Sequence, residues 1–252
     1  MPSLVLERVS KRFGGITAVS DVSFEVPEAG ITGLIGPNGA GKTTVVNLIT
    51  GMYKLTSGEI RLGGRNVGSA QPHEVARLGI SRTFQNIRLL PEASVLDNVI
   101  IGFHRHEKAS IAAGMFGFNA SLSEIREFRE RARALLDRFH MARFAEHPAG
   151  YLAYGHQRRV EMMRAVAMNP AILLLDEPVA GMNDVEAGEL GDVFQELASS
   201  GMGLLLIEHN IRFVTKLCQN VHVLDTGRTI AAGPPSVVMH DPVVVTAYLG
   251  TA

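Results

Sequence analysis

Cysteine is nearly absent: Cys218 stands alone in 252 residues and cannot close an internal disulfide. The chain therefore makes no claim on an oxidising compartment, and a reduced cytoplasm is its simpler home. Cys218 itself reads as a small packed apolar residue. Charge of one sign is lacking too, since 24 Lys and Arg meet 25 Asp and Glu for a net charge of −1. No broad positive field exists to draw in a nucleic acid or an anionic membrane. Long hydrophobic runs are missing as well. The densest, Ala171–Leu175 and Leu204–Ile207, have strand length, whereas a bilayer span takes about 20 apolar residues. Met1–Val5 carries neither the basic nor the apolar region of a signal peptide. If such a chain works at a membrane, something else must hold it there.

What is present is ordinary for a globular protein: 46% hydrophobic and 19% charged residues. The length suits one large α/β domain or two small ones. A β-rich flank comes first, with strand-like Leu4–Leu6 and Val22–Val26 separated by the turn Phe13-Gly14-Gly15. A strand at Ile31–Ile35 runs into a glycine-rich loop and a helix from about Lys42 to Thr50, which Gly51 stops. Ser57-Gly58 and Gly63-Gly64 bracket a further strand, Glu59–Leu62.

From about Arg88 to Met168 the texture is helical. Ser121 and Glu124 have capping-box spacing, and Ile125, Phe128, Ala132, Leu135, Leu136 and Phe139 then recur at helical intervals. Glu127 and Arg131 are placed for an i,i+4 ion pair. After Pro170 strands return, at Ile172–Leu175, Gly203–Ile207, Val221–Leu224 and Thr229-Ile230, with a helix over Val185–Ala198. The alternation predicts an α/β fold with a mostly parallel sheet and helices on its faces. The stretch His104–Asn119 has no period and is left unplaced.

Two motifs carry chemistry. Gly36-Pro37-Asn38-Gly39-Ala40-Gly41-Lys42-Thr43-Thr44 matches G-x-x-x-x-G-K-[ST], between a predicted strand and a predicted helix. Its glycines let successive N–H groups surround phosphate oxygens, and the helix that follows aims its positive end at them. Lys42 is the expected partner of the β- and γ-phosphates, and the Thr43 hydroxyl of Mg²⁺. In Ile172–Pro178 a buried strand delivers Asp176 and Glu177 at its C-terminal end, where ligands gather in α/β sheets. Asp176 suits Mg²⁺, usually through water, and Glu177 suits a general base on the attacking water. Adjacent carboxylates point to a hydrolase, and the absence of a guanine-reading Asn-Lys-x-Asp leaves ATP as the nucleotide.

With these residues in view, the whole chain resembles the ATP-binding-cassette subunits of transporters. The resemblance implies the P-loop NTPase ATP-binding-cassette fold: one domain over 1–252, with a RecA-like core and β flank at about 1–87 and 169–252. A helical subdomain is then expected at about 88–168. Gln85, in Arg82-Thr-Phe-Gln85-Asn, matches the family glutamine that reaches the metal and the attacking water and senses the membrane partner. His209, in Leu206-Ile-Glu-His209, matches the histidine that contacts the γ-phosphate. Phe13 sits where the family stacks an aromatic on adenine, a position that simple packing would also suit.

Leu152-Ala153-Tyr154-Gly155-His156 occupies the place of the family's Leu-Ser-Gly-Gly-Gln signature, and only Leu152 and Gly155 match it. Position identifies it, because a helix from Gln157 and then the Asp176 strand follow. In the family this segment reaches the ATP held by the opposite subunit. Ala153 lacks the serine hydroxyl, the loss of one neutral hydrogen bond worth about 1 kcal/mol. Gly181-Met-Asn183-Asp184 likewise stands where Ala-Leu-Asp is usual.

Lys11–Gly15, Phe84–Leu90, the Leu-Ala-Tyr-Gly signature, Ile207-Glu-His-Asn and the terminal Ala247-Tyr-Leu-Gly250 look like the ATPases of branched-chain amino acid importers. That resemblance implies a peripheral place on the cytoplasmic face of the plasma membrane. The partners it implies are two permease subunits, a second cassette subunit and, indirectly, an external binding protein. Two alternatives remain. One is a related transporter for urea, other amino acids, aromatic acids or lipopolysaccharide. The other is a soluble cassette protein of DNA repair or ribosomes, which predicts a duplicated cassette, a coiled-coil insertion or a basic surface.

Overall fold

The computed structural model describes residues 2–83, 88–103 and 118–249. The chain divides into two compact units: Met1–Arg82 with Pro170–Pro178 and Ala187–Ala252, and Thr83–Asn169 with Val179–Glu186.

The first unit holds two sheets. One is antiparallel, in the order β2-β1-β4-β5, from β1 (Leu4–Phe13), β2 (Ile16–Val26), β4 (Ser57–Leu62) and β5 (Arg65–Asn66). The other, in the order β10-β9-β3-β8-β7-β6, is built from β3 (Ile31–Ile35), β6 (Ile80–Arg82), β7 (Ile172–Asp176), β8 (Gly203–Ile207), β9 (Asn220–Asp225) and β10 (Arg228–Gly233). Its strands pair in parallel except for the antiparallel edge β9–β10.

Every residue of β3, β7 and β8 is buried. A parallel strand covered on both faces must be apolar throughout, which is why these three stand out as continuous runs. β1 and β2 extend well beyond the segments the apolar runs mark. Their added residues include the exposed Glu7, Arg8 and Arg12, tolerated because an antiparallel sheet can keep part of its surface in water. The first helix, α1 (Lys42–Ile49), ends at Thr50, and Gly51 follows with φ +71°. A short helix, α2 (Pro72–Leu78), carries a capping box between Gln71 and Glu74 that the sequence reading passed over.

Cys218 packs against β3, where a Cβ on Gly33 would lie 3.2 Å from its sulfur. Burial pushes its thiol up to about 12. The folded protein is therefore expected to resist iodoacetamide at pH 8 and to react once unfolded in urea. Rapid labelling of the folded chain would contradict this packing.

The second unit is helical, with α3 (Val95–Ile101), α4 (Phe118–Arg138) and α5 (Tyr154–Ala167), and 3-10 turns at Ala142–Phe144 and Ala149–Tyr151 lie between the last two. Phe128, Ala132, Leu136 and Phe139 are its buried seam, with Phe103 stacked on Phe128 at 5.5 Å. Two expectations are corrected here. Helix α4 begins at Phe118, so Ser121 lies inside it and does not start it. Ile125 is 51% exposed and stands off the core stripe. Glu127 and Arg131 pair as their spacing predicts, 3.7 Å apart. Of the unplaced His104–Asn119, residues 104–117 lie outside the described residues, and the last two open α4.

Helix α6 (Asp184–Ser199) is started by Asn183, whose side-chain oxygen accepts from the N–H groups of Val185 and Glu186 at 3.0 Å each. Among the described residues, no helix is long and apolar enough to cross a membrane.

Candidate functional site

The loop 36–41 connects the C-terminal end of β3 to α1. Gly36 has φ +145°, and a Cβ there would lie 2.0 Å from the Leu224 carbonyl oxygen, so only glycine fits. Gly39 also has positive φ, +82°, and the space a side chain would take there is open to a ligand. The first turn of α1 carries no acidic residue to occupy its amides. Lys42, only 7% exposed, folds its ammonium back onto the carbonyls of Gly36 at 2.7 Å and Pro37 at 3.0 Å. Burial lowers its pKa, and the charges of Glu177 and Asp176 act against that shift. A buried ammonium held by neutral carbonyls has much to gain from phosphate oxygens.

The neighbouring parallel strands bring up the other groups. Asp176 ends β7 and is 2% exposed. Glu177 follows with φ +50° and donates its N–H to Ile207 at the end of β8, at 2.8 Å. A left-handed glutamate is a strained residue, costing about 1–3 kcal/mol, and such strain concentrates at functional sites. Here it turns the carboxylate toward His209, whose Nε2 lies 2.9 Å from Oε1. The His209 backbone is held in turn by Glu208, which accepts from the N–H groups of His209 at 2.9 Å and Asn210 at 3.2 Å. Asn210 caps α7 (Ile211–Leu217). Lys42, Asp176, Glu177 and His209 thus follow the C-terminal ends of the interior strands β3, β7 and β8.

Sequence reasoning missed Arg82 and Asn47. The Arg82 guanidinium is buried at the end of β6, donating to Asp176 Oδ2 at 2.8 Å and to Asn47 Oδ1 on α1 at 2.6 Å. Its two partners lie far along the chain on either side, so no local spacing announces it. Asn47 is one helical turn beyond Thr43 on the same face of α1. For a divalent cation the available donors are hard oxygens, the exposed Thr43 hydroxyl and the Asp176 carboxylate. No cluster of three or more His, Cys, Asp and Glu forms a metal cage among the described residues. A cation here would take its remaining ligands from phosphate and water, the habit of Mg²⁺.

Phe13 stands 43% exposed at the tip of the β1–β2 turn, perpendicular to Tyr53 and beneath Lys11. Gln85 lies outside the described residues. Leu152–His156 belongs to the second unit. Ala153 is the N-cap residue of α5 and supplies no side-chain cap. The two departures from the usual family pattern touch each other in space. Added Cβ atoms at Gly181 and Gly155 would lie 3.4 Å from Tyr154 and from Met182, respectively. Arg159 fastens the same region, donating to Phe139 at 3.1 Å and Glu186 at 3.3 Å through their carbonyls.

A glycine loop closing on a buried lysine, beside an aspartate, a strained glutamate and a histidine on adjoining parallel strands, defines a P-loop nucleotide hydrolase. The sequence matches the family model described as ABC transporter over residues 19–180, and the chain belongs to that family. It is an ATP-binding, ATP-hydrolysing cassette of that family. It is 40% identical, over 100% of its own length and 99% of the relative's, to the high-affinity branched-chain amino acid transport ATP-binding protein BraF of Pseudomonas aeruginosa. Among solved structures it resembles the ADP conformation of MJ1267, an ATP-binding cassette of an ABC transporter. There the TM-score is 0.85 and the identity 32%, with 100% of both chains covered. It also resembles the dimeric post-hydrolysis state of the cassette MJ0796 bound to ADP and Pi. That match has a TM-score of 0.77 and 25% identity, and covers 92% of this chain and 98% of that one.

Proposed function

We propose that the chain, acting as one cassette over 1–252, hydrolyses Mg-ATP to drive uptake of branched-chain amino acids through partner permeases. The single observation that carries the chemistry is the strained Glu177, held 2.9 Å from His209 within the field of Lys42. The substrate class is supported by the likeness to BraF over the full length.

In this reading Gly36–Thr44 cradles the triphosphate, and Lys42 exchanges two backbone carbonyls for β- and γ-phosphate oxygens. Phe13 stacks on the adenine. Thr43, Asp176 and Gln85 would hold Mg²⁺, which supplies charge neutralisation on the phosphates. Glu177 takes a proton from the attacking water as its oxygen bonds to the γ-phosphorus and the bond to the bridging oxygen breaks, releasing ADP. His209 orients Glu177 and reaches the γ-phosphate.

Leu152–His156 of a second cassette, identical or not, would close over the nucleotide with the bare amides that open α5. The chain would then sit on the cytoplasmic face of the membrane, held there by two permeases, with an external binding protein delivering the amino acid.

Replacing Lys42 by Ala is expected to abolish nucleotide binding measured by calorimetry, with the fold intact. Unchanged affinity would remove the phosphate-loop assignment. The wider reading is tested by purifying the chain from native membranes in mild detergent and identifying what accompanies it by mass spectrometry. Two polytopic permeases and a second cassette are expected. Lipopolysaccharide-export, ribosomal or DNA-repair components would overturn the importer reading and leave the ATPase.

A further inference from the structure

An exposed phenylalanine at the tip of a hairpin has no core to fix its rotamer. Around Phe13 the turn is open, with nothing within 4 Å of a side chain added at Gly14 or Gly15. Among the described residues, an aromatic ring and an ammonium stand against the Phe13 side chain. Tyr53 lies with its centroid 5.2 Å away and its plane turned by 80°, and the Lys11 ammonium lies 4.8 Å over the ring.

Both supports are themselves anchored. The Tyr53 N–H donates to Asn47 on the phosphate-binding helix at 3.0 Å, and Lys11 Nζ donates to the Lys54 carbonyl at 2.8 Å. The end of β1 is joined to the same segment by Arg12 N–H to Thr56 Oγ1 at 3.0 Å and by Thr56 N–H to Ser10 O at 2.9 Å. The chain leaving α1 therefore carries the aromatic that props Phe13. The ring that meets the base and the helix that meets the phosphates share one mechanical support.

We infer that Tyr53, aided by Lys11, is a positioning residue for the purine base. It holds the Phe13 ring in place, so that stacking does not have to order a free side chain, and it ties that ring to α1. The inference rests on the assignment of Phe13 to adenine. A perpendicular aromatic pair is worth enough that its loss is expected to weaken base-dependent binding by about 3- to 10-fold.

The test uses the full chain and compares ADP, which has a base, with pyrophosphate, which has none, by calorimetry. Tyr53→Ala is expected to weaken ADP binding by that factor and to leave pyrophosphate binding unchanged. Tyr53→Phe, which keeps the ring, is expected to bind ADP like the wild type and controls for folding. In a Phe13→Ala background Tyr53→Ala is expected to change nothing further, because its only route to the base has gone. Equal losses for ADP and pyrophosphate, or an undiminished Tyr53→Ala effect without Phe13, would overturn the inference. So would a Phe13→Ala loss with no loss for Tyr53→Ala. If Phe13→Ala itself leaves ADP affinity unchanged, the adenine assignment falls and takes the inference with it.

Discussion

Glu177→Gln is expected to lower ATP turnover by roughly 10²–10⁴ while leaving ATP affinity near that of the wild type. The amide keeps the volume of the carboxylate and can still bond His209 Nε2, now 2.9 Å away. What it loses is the capacity to take a proton from water. In the proposed reading the phosphates are held chiefly by Lys42 and the amides of the loop, and His209, which reaches the γ-phosphate, keeps its bond to the amide. Turnover is read by phosphate release and affinity by equilibrium binding of ATP to the same preparation. Near-normal hydrolysis would move the base elsewhere. A parallel loss of affinity would make Glu177 a binding residue.

The second large effect is on stability. Arg82 and Asp176 form an ion pair with side chains 9% and 2% exposed. Removing one partner of a buried pair strands the other charge and typically costs about 3–5 kcal/mol. Arg82→Met is expected to lose that much in urea unfolding, because it removes the cation beside the buried Asp176 and the donor to Asn47 Oδ1 together. The double variant Arg82→Met with Asp176→Asn is expected to recover much of the loss, since neither member of the pair is then left charged without the other. Measured at constant m-value, the two midpoints separate these cases. A loss below about 1 kcal/mol for Arg82→Met would be the value of a surface pair and would contradict the buried one.

How far each of these residues could be read from sequence follows from where its partners lie. β3, β7 and β8 were legible because strands buried on both faces leave unbroken apolar runs. The loop 36–41 was legible because Gly36, against the Leu224 carbonyl, admits no side chain, so the motif records a geometric requirement. β1 was legible only at its apolar start, since half of a one-faced strand is polar. The 3.6-residue stripe located the seam of α4 through Phe128, Ala132 and Leu136 and left its starting residue open. Arg82, Asn47 and Tyr53 were invisible because their partners are distant in sequence and an isolated Arg, Asn or Tyr carries no spacing. The contact of Tyr154 with Gly181 belongs to the same class. Each departure is readable alone, and that they meet is a fact of folding.

Hydrolysis in this cassette is proposed to drive branched-chain amino acid uptake. This coupling is tested most directly by measuring radiolabelled leucine uptake, at low external concentration, in cells whose only copy of the chain carries Lys42→Ala. Permease levels in the membrane are confirmed to be normal. High-affinity uptake is expected to be lost, and the wild-type chain to restore it. Uptake that continues at the wild-type rate would contradict the claim.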